Sequence, residues 1–222
     1  MLTEDYLMRL IRLATQVFLR ILGLKSQGLY QDALYAIDQM LEQITGLRAD
    51  LLQRLDDDSL INAFSTANGL DADRLILAAD FIQQQAEIYA LTGQPDEARS
   101  LSLRALNCYL AAMLESSPSE VPAPDEKIQN LVDTHGLQAL PPATLVRLFD
   151  YFAGSGVYNR ADQVLTSLSY LPEADGGEFR RMKLDFYRRL MEQDDEALQR
   201  GNLPRAVVEK RIAALSRETG QM

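Results

Sequence analysis

Gly93-Gln94-Pro95-Asp96-Glu97-Ala98 decides how this chain reads, because its wording occurs three times. It stands earlier as Gly28-Leu29-Tyr30-Gln31-Asp32-Ala33 and later as Gly156-Val157-Tyr158-Asn159-Arg160-Ala161. In each copy an alanine follows a glycine by five positions, and apolar runs of helical spacing lie on both sides. After the turns these runs are Ile37, Met40, Leu41 and Ile44, then Leu101, Ala105 and Leu106, then Val164, Leu165 and Leu168. A glycine ends one helix cheaply by taking a positive φ, and a small alanine lets the next helix approach it closely. The unit is therefore a pair of antiparallel helices, and stacked pairs bury a core that one pair alone cannot.

Working outward, residues 3–22 form an apolar-periodic run. Asp5, Arg9, Arg12, Gln16 and Arg20 share one narrow stripe, and leucine, isoleucine, valine and phenylalanine cover most of the rest. Such a helix calls for burial around most of its circumference. Three partners are open to it: the Gly28 hairpin, a second copy of the chain, and a membrane surface. The narrow stripe, which includes Asp5, is unlike the broad basic face of an interfacial helix.

Between the hairpins the text predicts shorter helices. Asp56 to Ser59 caps one near Leu60, and Asp71 caps one running to about Tyr89. A third lies near Ile128–Val132, and Pro141-Pro142 opens a fourth through Phe152. Ala174-Asp175-Gly176-Gly177 breaks the chain before a charged helix through Met191, and Asn202 caps a closing helix to about Ser216. No run alternates with period two, so the expectation is all-α, with about ten or eleven helices. The Pro/Ser-rich segment 116–126 reads either as a linker between a lobe at 1–115 and another at 127–222 or as a loop within one continuous domain.

The hairpin wording resembles a tetratricopeptide repeat. Ala86, Tyr89, Gly93, Ala98 and Ala105 fall on that family's small, aromatic and turn positions, and the other copies keep the glycine, a tyrosine two residues later and the alanine. The tryptophan position is filled by Val17, Ile82 and Leu145, and the closing proline is missing or displaced to Pro172. The hairpins recur after 65 and 63 residues rather than at the repeat's ~34, so extra helices stand between them. With Asp5 to Ile11 at one end and Gly201-Asn202-Leu203-Pro204 at the other, the chain is also similar to an uncharacterised bacterial tetratricopeptide-like family, a domain of unknown function. The resemblance implies a degenerate right-handed superhelix of stacked hairpins and brings no catalytic residue or ligand.

Composition narrows the function. The 222 residues include 22 basic and 32 acidic side chains, a formal net charge of −10, and residues 26–177 hold 8 of the basic against 22 of the acidic ones. An acidic body repels phosphate backbones, which argues against nucleic acid and suits a basic or amphipathic peptide. No apolar stretch is long enough for a membrane span, and the acidic residues at the start are unlike a secretory leader. A lone cysteine, Cys108, fits a reducing cytoplasm.

Chemistry finds little to stand on. His135 is the one histidine, placed where a helix ends, so neither a Ser-His-Asp or Cys-His mechanism nor a multi-histidine metal site is expected. Cys108 lacks a CxxC neighbour or adjacent cation and reads as a packing residue. Asp56–Asp58 and Glu192–Glu196 lack a calcium-loop frame and read as caps or solvated faces. Gly154-Ser155-Gly156 starts like a dinucleotide fingerprint but has Asn159 at the third glycine position. The expectation is a cytoplasmic, non-enzymatic adaptor or scaffold without cofactor or metal. It would present an acidic, aromatic concave surface, with Asp80, Gln84, Glu87 and Tyr109 as the partner-binding residues. The alternative is a self-associating structural or regulatory subunit that dimerises through the Tyr6–Leu22 helix.

Overall fold

The computed structural model describes residues 2–67, 69–115, 120–170 and 176–219. The described residues are almost entirely helical. The first elements are α1 (Leu2–Ser26), α2 (Tyr30–Thr45), α3 (Ala49–Leu52) and α4 (Asp57–Asn62). There follow α5 (Ala72–Leu91), α6 (Pro95–Leu114), α7 (Asp125–His135), a 3-10 turn (Leu137–Ala139), α8 (Pro142–Gly154) and α9 (Tyr158–Leu168). The last three are α10 (Gly176–Met191), α11 (Asp195–Arg200) and α12 (Arg205–Thr219). Contacts divide the chain into two units, Met1–Thr134 and His135–Met222.

The three quoted turns join α1 to α2, α5 to α6 and α8 to α9. Gly28, Gly93 and Gly156 hold φ of +72°, +77° and +77°. After each glycine the next N–H donates to a carbonyl five residues back: Leu29 to Leu24, Gln94 to Tyr89 and Val157 to Phe152, each at 2.9 Å. That bond closes a Schellman motif and satisfies a helix-end carbonyl. The alanines then begin the second helices. Ala33, Ala98 and Ala161 donate to Leu29, Gln94 and Val157, and all three are buried.

In the first unit α2 packs on α1 and α5, and α6 packs along α5. Ile37, Met40, Ile44, Leu75, Ile76, Ile88, Leu106 and Leu110 fill the interior. Phe18 meets Phe81 edge-on at 6.2 Å, which fastens α1 to α5. Asp56 caps α4 by accepting from the Ser59 N–H at 2.7 Å, and Asp71 caps α5 by accepting from the Arg74 N–H at 3.2 Å. In the second unit α8 packs on α9, and α10 packs on α9 and α12. There Phe149 meets Phe186 at 5.3 Å, and the buried Asp162 accepts from the Tyr187 hydroxyl and, at 3.0 Å, from Arg211.

Several details differ from the expectations. A small antiparallel hairpin pairs β1 (Ser65–Thr66) with β2 (Gly69–Leu70), too short to leave an alternating pattern. Gly176 and Gly177 lie in the first turn of α10 rather than before it, while Ala174 and Asp175 fall outside the described residues. Asn202 does not cap the closing helix. It takes φ +53° as the left-handed residue of a fourth Schellman turn, in which Leu203 donates to Leu198 at 3.0 Å. Asparagine tolerates that conformation better than other residues with a Cβ. Pro204 supplies the first carbonyl of α12 instead. The two units meet between Thr134 and His135, at the end of α7, and residues 116–119 of the Pro/Ser-rich segment are outside the described set. Just after those residues the Asp73 carboxylate accepts from the Glu120 and Val121 N–H groups at 3.1 and 2.9 Å, which ties this stretch of chain back to α5.

Candidate functional site

On α5 the positions 80, 83, 84 and 87 follow the i, i+3, i+4, i+7 spacing that sets side chains along one helical face. All four carry hydrogen-bond acceptors: Asp80, Gln83, Gln84 and Glu87. Opposite them stand Phe18 from α1, Tyr109 from α6, and Lys127, Asn130 and Leu131 from α7. Together these residues line a groove of about 230 Å³. The four residues singled out from sequence, Asp80, Gln84, Glu87 and Tyr109, thus come together in one place.

The acids of this groove are already partnered. The Tyr109 hydroxyl donates to Asp80 Oδ1 at 2.6 Å, and Lys127 Nζ donates to the same oxygen at 2.5 Å. Lys127 Nζ also stands 5.6 Å from the Tyr109 ring centroid, within reach of the ring's negative face. Lys25, at the end of α1, donates to Gln84 Oε1 at 2.9 Å and pairs with Glu87 Oε2. Two lysines therefore balance two carboxylates, and the lining carries less uncompensated acid than the sequence alone implied. Burial, then the neighbouring Asp80 charge, pushes the Tyr109 phenol far above its ordinary range, so it remains a donor.

Lys25, Gln83, Lys127 and Asn130 were missed in the sequence reading. Gln83 carried a signal, since it belongs to the same periodic face as Gln84. The lysines carried none, because they meet their partners across 62 and 47 residues of chain.

The other candidates are absorbed by the scaffold. Asp56 caps a helix, and Asp57 takes Arg104 at 3.1 Å and the Asn107 amide at 2.6 Å. Asp194 caps α11 and Asp195 pairs with Arg205 at 2.5 Å. Cys108 is buried in α6, and His135 is the last residue of α7. Among the described residues, no group of three or more His, Cys, Asp or Glu side chains is placed to hold a metal ion. No described helix is long and apolar enough to cross a membrane.

A protein-family model described as a family of unknown function (DUF6483) matches residues 1–220. No curated protein and no solved structure matches the chain.

Proposed function

Since the chain belongs to DUF6483, a family of unknown function, we propose a role from the groove itself: a non-enzymatic, cytoplasmic protein-interaction module, an adaptor or scaffold of tetratricopeptide-like build. A segment of a partner protein lies against Asp80, Gln84, Glu87 and Tyr109. One observation carries this reading, the convergence of four helices on a lining that offers only hydrogen bonds, paired charges and two apolar side chains. Such a lining binds and orients, and it contains no activated nucleophile. The three matching turns support the tetratricopeptide-like build, with α3, α4 and α7 as the inserted helices. Phe18 and Leu131 offer the apolar contact that an amphipathic segment needs.

The test is a tagged capture from the source cell, read by mass spectrometry against a tag-only control and against an Asp80→Asn/Glu87→Gln double variant. A protein enriched by the native chain and lost by the variant, at an unchanged melting temperature, supports the reading. Equal recovery by both chains, or recovery of the bait alone, overturns it.

A second reading is a structural or regulatory subunit that self-associates through the N-terminal helix. It is favoured by the apolar side chains α1 leaves exposed, among them Tyr6, Met8, Leu13, Leu19 and Leu22. A solution mass of twice the chain's would support it.

A further inference from the structure

We propose that Asp80 and Tyr109 form an alkylammonium subsite, which Lys127 of the same chain occupies and which a lysine of the partner takes over. This rests on the groove being an interaction surface and names what it recognises. The fixed and exchangeable parts are distinguishable by burial. The Tyr109 side chain is 1% exposed, and Asp80 retains 19% of its side-chain surface. Lys127 is 49% exposed and enters from a different helix. A half-exposed lysine ion pair contributes little to stability, so its release costs little, while the carboxylate and ring it leaves stay in position.

Lys25 makes the contrast. Only 13% of its side chain is exposed, and it is held by both Gln84 and Glu87, so it is a fixed clamp rather than a placeholder. Beside the subsite, Gln83 Oε1 is buried without a hydrogen-bond partner among the described residues. An unmet acceptor is costly to bury, and a donor brought in by a ligand would satisfy it. The α5 face is therefore a row of four acceptor positions: Gln84 and Glu87 held by Lys25, Asp80 held loosely by Lys127, and Gln83 unfilled. The matching ligand is a peptide bearing lysine ammonium groups, its affinity falling with salt.

The probe is a fluorescein-labelled octalysine, its binding to the full chain read by fluorescence anisotropy at low salt. Arg54→Ala removes the same charge from an exposed position outside the groove and measures general attraction to an acidic protein. Lys127→Ala should bind the probe about two- to fivefold more tightly than Arg54→Ala does, and Lys127→Gln should do the same with much of the side-chain stem retained. Adding Asp80→Asn to either Lys127 variant should cancel the gain. A gain no larger than that of Arg54→Ala, or one that survives Asp80→Asn, overturns the placeholder. Should it fail while capture of a partner still depends on Asp80 and Glu87, the groove keeps its role and only the lysine exchange is lost. Should the gain appear while capture proves independent of the groove, the subsite stands and the adaptor reading falls.

Discussion

Asp38 on α2 is half-buried, and burial together with the nearby Glu42 carboxylate raises its pKa above the ordinary 3.8, against the opposing effect of the Gln85 amide that donates to it at 2.8 Å. A carboxyl whose folded pKa exceeds its unfolded value holds its proton more tightly in the native state. Stability therefore falls as pH rises from about 3.8 through the folded pKa, and above that the loss is complete. Asp38→Asn keeps an oxygen for the Gln85 amide and removes the charge. Its melting temperature should exceed that of the native chain at neutral pH, with the margin shrinking as the native carboxyl protonates below it. A margin that stays constant with pH would assign the effect to something other than the charge. Residue-level roles of this kind were legible only where the partner is local. Asp56 and Asp71 bond backbone three positions on, so text alone marked them as caps. The raised Asp38 and the ion pair of Lys127 with Asp80 depend on distant chain, and no spacing rule announces them.

At the scale of elements, the Gly-to-Ala turns were readable because both of their requirements are local. Positive φ selects glycine, and close approach of two helices selects alanine. The turn after α11 shows the limit of that logic. Asn202 serves equally well as an N-cap or as a left-handed C-terminal residue, and the neighbouring packing decides between them. Gly201 belongs to that packing: its carbonyl accepts from the Asn159 N–H at 2.9 Å, which presses the end of α11 onto the turn between α8 and α9. A Cβ on Gly201 would lie 2.6 Å from the Gly156 carbonyl oxygen and closer still to the Tyr158 ring. Gly201→Ala should therefore destabilise the protein by ~1–3 kcal/mol, the usual cost of overpacking, measured as a lowered urea midpoint at unchanged slope. An unchanged midpoint would mean that the two turns are not in contact in solution. Because Gly201 has φ of −75°, the loss would come from crowding and not from backbone strain.

For the whole molecule the open question concerns α1. Its text called for burial on nearly every side, and the chain covers chiefly the stripe through Leu10, Ala14 and Ile21, leaving Leu19 65% exposed. If a second copy covers the remainder, Leu19→Glu should return a dimer to the mass of one chain in sedimentation, with the melting curve little changed. A native chain that sediments as a single copy at about 50 μM would remove self-association from consideration. All-helical class, the three hairpins and the Asp56 and Asp71 caps were determined by sequence alone, because helical periodicity, glycine turns and capping acids act over a few residues. The formation of the groove was decided only by tertiary structure. Four helices from separate parts of the chain bring two lysines onto two carboxylates, and which charges remain available to a partner depends on distances that sequence spacing does not carry.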